Sequence, residues 1–195
     1  MPDRKAYLTR EEIFAGLGRV NDLLKQQDVQ GEICLYGGAC LCLAFSARNS
    51  TKDVDAAFQP TPIIRKAAFE VAVERGWHWS WLNDVIIGFL SHRDGGSLEA
   101  VASCEFSHLK VYAAKAEYLL AMKCLAARMS EIETLVEGAE SSSDLEDAVW
   151  LCRKLGLTER GDLLDNVSVY YPDSPIPERT DIFIDEIMNR MHPAT

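Results

Sequence analysis

The run Ile33-Cys34-Leu35-Tyr36-Gly37-Gly38-Ala39, followed by Arg48-Asn49-Ser50-Thr51-Lys52-Asp53-Val54-Asp55, decides the fold of this chain. Ile33 to Tyr36 is a short apolar run of strand length. The glycine pair bends the chain sharply, because residues without Cβ reach conformations closed to others and leave their N–H groups exposed. Small and apolar residues from Ala39 to Phe45 then suit a helix buried on nearly every side. Polar Arg48 to Lys52 form a loop, and Asp53 to Phe58 is the next strand.

Alternate side chains of a strand share a face, so Asp53 and Asp55 project together while Val54 turns to the core. An Asp-x-Asp triplet arises by chance about once in a chain of this composition and says little alone. Its setting says more. Neighbouring carboxylates on a half-buried strand repel each other unless a cation neutralises them. Magnesium, bound through oxygens at about 2.1 Å, suits a place where it also bridges phosphate oxygens. Backbone N–H groups at the glycine bend, where a helix starts, offer the complementary anion cradle. A glycine pair by itself is usually a tight turn. The order strand, glycine pair, helix, basic loop and paired carboxylates carries the expectation.

Outward from this segment, Thr9-x-x-Glu12 is a capping box, and Ile13, Leu17, Val20 and Leu24 recur at helical spacing over residues 10 to 26. Thr61 as N-cap, with Pro62 in the first turn, opens a helix over Ile63 to Arg75 that Gly76 stops. Trp77 to Trp81 and Val85 to Leu90 follow, and His92-Arg93-Asp94-Gly95-Gly96 is a turn between strands. Leu98 to Phe106 and Leu109 to Tyr112 are further strands of the same sheet. From Ala113 the period is helical through Arg128. Ser130 to Ser143 is an acidic exposed loop, and Ser143-x-x-Glu146 opens a helix through Leu155 that Gly156 ends. Thr158 to Tyr170 and Thr180 to Met191 are the last two helices. The expected fold class is α/β, a mixed sheet flanked by helices over residues 1–112, with a C-terminal helical region over 113–195 packed on that core.

Composition narrows the function. At 195 residues and 48% hydrophobic, the chain can bury a full core. No apolar run approaches the roughly 18 residues of a membrane span, and Met-Pro-Asp-Arg-Lys precedes a charged helix rather than a secretory segment. A cytoplasmic protein with no membrane partner is expected. The six cysteines lack zinc spacing and sit in apolar stretches, so they are expected as buried small hydrophobes. Thirty acidic against twenty basic side chains give a net charge of -10, which disfavours bulk DNA binding while leaving room for a local basic cleft that docks an RNA end. Trp77, Trp79 and Trp81 are dense enough to be core and cover, a stacking face for a base being the alternative.

Tyr36-Gly37-Gly38-Ala39 with Arg48-x-x-Thr51-x-Asp53-x-Asp55 resembles the first motif of the DNA polymerase β-like nucleotidyltransferase superfamily, particularly the branch of type IV abortive-infection toxins. Tyr118-Leu119-Leu120-Ala121-Met122-Lys123 with Arg128, then Asp144-Leu145-Glu146-Asp147, is similar to that branch's later lysine and aspartate motifs. The resemblance covers about residues 31 to 156, and its specificity lies in the joint order of short motifs. It implies a nucleotidyltransferase-type sheet. It also implies that Asp53 and Asp55 hold Mg2+ or Mn2+, that Gly37 and Gly38 hold the triphosphate, and that Arg48 and Thr51 steady the loop or touch the nucleotide. Lys123 would bind a phosphate or the charge of departing pyrophosphate, and Asp144 would act as base or orienting group.

The implied reaction moves a nucleoside monophosphate from a nucleoside triphosphate to a hydroxyl, on a tRNA 3′ end or on a protein such as a partner antitoxin. Two departures stand out. Gly38 takes the place of a common serine, and the strand Leu109-Lys110-Val111-Tyr112 lacks the third carboxylate of many active members; Glu99, Glu105 and Asp84 are the candidate substitutes. The alternatives are a non-catalytic nucleotide- or RNA-binding relative and an antitoxin-like partner whose acidic surface meets a basic toxin.

Overall fold

The capping box at Thr9 forms. Its hydroxyl accepts from the Glu12 N–H at 3.3 Å and the Glu12 carboxylate accepts from the Thr9 N–H at 2.9 Å, so α1 (Arg10–Gln26) starts where the sequence indicates. Ile13, Leu17, Val20 and Leu24 are all fully buried along one stripe, each stabilising the fold by roughly 1.5–3 kcal/mol. The computed structural model describes residues 7–93, 96–127, 143–173 and 175–193. Arg128 and most of the expected acidic loop, residues 130–142, lie outside the described residues, as do residues 94 and 95 of the expected turn. Two units make up the chain: Met1–Gly88 with Leu98–Ala114, and Phe89–Ser97 with Lys115–Thr195. Among the described residues the architecture is mixed α/β, with seven α-helices and a five-stranded mixed sheet.

In the first unit the sheet comprises β2 (Gly31–Leu35), β4 (Val54–Gln59), β5 (Leu82–Asn83), β6 (Leu98–Ala100) and β7 (Leu109–Ala114), in the order β5-β4-β2-β7-β6. β2 runs antiparallel to β4 and parallel to β7, while β5 lies parallel to β4 and β6 antiparallel to β7. Ile33, Leu35, Val54, Ala56, Val111 and Ala113 alternate onto one buried face. On that face Gly31 lies against Leu24 of α1 and Ile64 of α3 (Thr61–Arg75). The short α2 (Gly37–Leu43) follows β2, and a ribbon of β1 (Leu8–Thr9) with β3 (Ser50–Thr51) pins the segment between α2 and β4.

Several boundaries differ from expectation for local reasons. α2 includes the glycine pair instead of starting after it, and β4 starts at Val54, leaving Asp53 just ahead of the strand. Pro60, not Thr61, is the N-cap of α3, because the Thr61 hydroxyl donates to the Phe58 carbonyl at 2.8 Å. Val85–Phe89 forms a 3-10 helix whose Val85, Ile87 and Phe89 are exposed; no strand among the described residues pairs with that run, and the Asn83 side chain turns it by accepting from the Val85 N–H at 3.2 Å. The Leu98 strand ends at Ala100, after which Cys104 bonds back to Val101 at 2.9 Å as a turn.

Trp77 and Trp81 are core, packed edge to face at 5.0 Å, with the Trp81 indole donating to the Ala68 carbonyl at 2.8 Å. Trp79 is not core: it is 61% exposed.

In the second unit α4 (Ala116–Ala126) is buried on nearly all sides, through Tyr118, Leu119, Leu120, Met122 and Cys124. It packs against α5 (Ser143–Leu155), α6 (Arg160–Tyr170) and α7 (Glu178–Met191). α6 starts two residues later than expected because Glu159 and Asp162 form a capping box there. The fully buried Thr180 donates its hydroxyl to the Cys124 carbonyl at 3.0 Å, satisfying the end of α4. Ser91 is fixed to this unit by its N–H donating to the Tyr118 hydroxyl at 2.8 Å and by its hydroxyl donating to the Tyr170 carbonyl.

None of the six cysteines is in a disulfide; five are buried and Cys34 is partly exposed. Burial pushes the Cys152 thiol up to about 12 and the Cys124 thiol further in the same direction, so both stay neutral and behave as small hydrophobes. No helix among the described residues is long and apolar enough to cross a membrane.

Candidate active site

The antiparallel pairing of β2 and β4 brings the glycine bend beside the aspartates. The Tyr36 N–H donates to the Asp55 carbonyl at 2.9 Å, so the bend is tied to the aspartate strand at the residue where β2 ends. Gly37 has φ +52, and a Cβ added to it would stand 2.6 Å from Asp55 Oδ2. Gly38 is closed off equally: a Cβ there would collide with the Thr51 hydroxyl and lie 3.2 Å from Arg48 Nη1. Both glycines are therefore required by the close approach of side chains already expected at the site. Thr51 is 4% exposed and is held by β1, through the Leu8 register.

Val54 and Ala56 are fully buried while Asp55 and Ala57 are part-exposed, so Asp55 stands on the open face of the sheet. Asp53 precedes the strand, and alternation does not place it. A side chain does so instead: Asn83 Nδ2 donates to Asp53 Oδ2 at 3.4 Å, while the backbone of Asn83 is the register partner of Asp55 across β4 and β5. Asn83 thus touches one aspartate and neighbours the other. A lone asparagine carries no motif, and nothing in the sequence singles it out.

Register also decides the third-acid question for Glu99. Tyr112 pairs with Cys34 and with Ala100, which puts it on the open face with Asp55. Glu99 pairs with Ala113, on the opposite parity. Asp84 bonds Arg65 at 2.6 Å, and Glu105 is exposed and belongs to no strand. Among the described residues no group of three or more His, Cys, Asp or Glu side chains is arranged to hold a metal. A donor set of one or two carboxylates completed by phosphate oxygens and water is what magnesium takes at nucleotide sites. Asp53 and Asp55 fit that role.

No protein-family model matches this chain, and neither does any curated protein or any solved structure.

Lys123 and Asp144 belong to the second unit and join there in one ion cluster. Lys123 Nζ is 2.7 Å from Asp144 Oδ1 and 2.9 Å from Asp147 Oδ2. Asp144 lies in the first turn of α5, where the helix dipole favours acids, and Asp147 follows about one turn on. The lysine and Asp147 are nearly buried, with side-chain exposures of 8% and 5%, whereas Asp144 retains 46%. Burial pulls the Lys123 ammonium downward, but the charges of Asp144 and Asp147 and their hydrogen bonds outweigh it and hold its pKa above the ordinary lysine value. Asp147, one turn beyond the expected Asp144, is the more deeply buried partner.

Proposed function

We propose that this chain is a nucleotidyltransferase that works with Mg2+ or Mn2+, taking a nucleoside triphosphate and an acceptor hydroxyl on an RNA 3′ end or on a protein. The observation that carries the proposal is the closeness of the Asp55 carboxylate to Gly37, with Thr51 and Arg48 against Gly38. A carboxylate and a guanidinium on either side of a backbone bend offer a cation ligand and an anion donor within one small region. In the proposed reaction the acceptor hydroxyl gives up its proton to water as its oxygen bonds the α-phosphorus, the bond from that phosphorus to the β-bridging oxygen breaks, and pyrophosphate leaves.

Asp53 and Asp55 would hold the divalent ion, which when bound neutralises phosphate charge and polarises the phosphoryl group. Arg48 contributes a fixed positive charge toward the triphosphate, and the exposed N–H groups of the bend orient it. Asn83, bonded to Asp53, restrains that carboxylate. Lys123 and Asp144 enter by resemblance, with the roles given above.

One observation favours a second reading, a nucleotide- or RNA-binding relative without turnover: Tyr112 and Ala114 occupy the β7 positions on the open face where a third acid would stand. Incubation with each labelled nucleoside triphosphate, magnesium and total tRNA separates the two. The proposal expects transfer of label by the native chain and its loss, by at least about a hundredfold, in Asp53→Asn. Metal-dependent binding without transfer supports the second reading, and equal transfer by both proteins contradicts the assigned site.

A further inference from the structure

Beside Asn83 the first unit opens a cavity of about 540 Å³ lined by Arg65, Lys66, Phe69, Trp79, Asn83 and Asp84, within the range of roughly 300–1,000 Å³ usual for small-ligand sites. Its composition is unusual for this protein. Phe69 and Trp79 are 54% and 61% exposed, although the neighbouring Trp77 and Trp81 are buried. Arg65 and Lys66, with side chains 62% and 73% exposed, stand with the two rings in a chain of net charge -10. Arg65 bonds Asp84 at 2.6 Å, using one of five N–H donors, and Lys66 lies 4.0 Å from Glu70. Both are surface pairs screened by water and open to exchange for a phosphate.

We propose that this groove holds an unpaired nucleotide of the RNA acceptor strand, the base stacked on Trp79 and Phe69 and the flanking phosphate held by Arg65 and Lys66. The proposal rests on the transferase reading for the word acceptor. Exposed aromatic rings together with cations match a nucleobase and its phosphate at once. An apolar protein segment would match the rings alone and would strip water from both cations without pairing them. Asn83 reaches from the groove wall to Asp53, so a strand lying there passes within one side chain of the candidate metal ligands. A base already paired in a duplex cannot stack in this way.

The test is fluorescence anisotropy of a short labelled single-stranded oligoribonucleotide with the full chain, beside the same sequence as a duplex. The single strand should bind more tightly than the duplex. Trp79→Ala should weaken it about tenfold and Trp79→Phe should restore most of that loss. Lys66→Ala should lower the salt slope of binding by about one. Because these side chains are exposed, the variants should melt like the native protein.

Absence of single-strand binding, or binding indifferent to Trp79, overturns the proposal. If Trp79→Ala instead weakens the binding of a nucleoside triphosphate, the groove belongs to that base and the acceptor assignment falls. Asp53→Asn should abolish metal-dependent triphosphate binding while sparing the oligonucleotide. A native chain with no metal-dependent triphosphate binding but Trp79-dependent RNA binding would sink the transferase reading and keep the groove.

Discussion

Lys123→Met is expected to destabilise the protein by about 3–5 kcal/mol, seen in urea as a lower midpoint with an unchanged slope. The methionine removes the ammonium that bridges Asp144 and the 5% exposed Asp147. Breaking a buried ion pair by removing one partner costs far more than losing a surface pair. Asp144 is 46% exposed and screened by solvent, so Asp144→Asn should cost only about 0–1 kcal/mol.

Combining Lys123→Met with Asp147→Leu should recover most of the loss, since apolar side chains can replace a buried ion pair at little net cost. The folded-state pKa of Lys123 lies above its unfolded value, which is about 10.4. The ion cluster's contribution is therefore complete below that pH and disappears as pH climbs through the folded value. Native and Lys123→Met midpoints should converge only in that alkaline range. A loss under about 1 kcal/mol in Lys123→Met at neutral pH would mean that the ammonium is solvated and the cluster is a surface feature.

Gly37→Ala should lower metal-dependent affinity for nucleoside triphosphate about 10–100-fold, the range seen when groups supporting a metal ligand are displaced. Two separate effects act at this position. A side chain at φ +52 costs roughly 1–2 kcal/mol of backbone strain, and the new Cβ at 2.6 Å from Asp55 Oδ2 forces either the carboxylate or the bend to move.

Gly76→Ala isolates the first effect. Gly76 also has a positive φ, +68, yet a Cβ there has nothing within 4 Å. Gly76→Ala should lose stability through backbone strain alone, Gly37→Ala should lose at least as much in thermal melts, and only Gly37→Ala should lose nucleotide affinity. Equal affinity in both would show that Asp55 has no part in binding.

The parts of the fold visible in the sequence are those fixed by local chemistry. The Thr9–Glu12 capping box sets the start of α1, the apolar stripe from Ile13 to Leu24 sets its buried face, and the residue types around Gly37 and Asp55 set the order of β2, α2 and β4. Elements fixed by distant partners were hidden. Val85 to Leu90 has strand composition, but it gains strand structure only if another strand pairs with it, and none among the described residues does.

The same division runs through the site. Gly37, Gly38, Thr51, Arg48 and Asp55 gather because β2 and β4 are antiparallel neighbours and the β1–β3 ribbon brings the segment of Arg48 and Thr51 against Gly38. The link from Asn83 to Asp53 depends on β5 joining the sheet edge, which no local pattern announces. The exclusion of Glu99 needs the register of β6 on β7. Burial of Lys123 with Asp144 and Asp147 follows from the packing of α4 on α5, whereas the sequence shows only a lysine among apolar neighbours.

The most direct test of the central claim is electron paramagnetic resonance of free Mn2+ titrated with the protein and a non-hydrolysable nucleoside triphosphate, for the native chain and for Asp53→Asn with Asp55→Asn. Bound manganese loses the sharp signal of the free aqueous ion. The account predicts that native protein with nucleotide depletes the free signal beyond what nucleotide alone does, and that the double variant adds nothing. Equal depletion by both proteins, or none by the native chain, would contradict it.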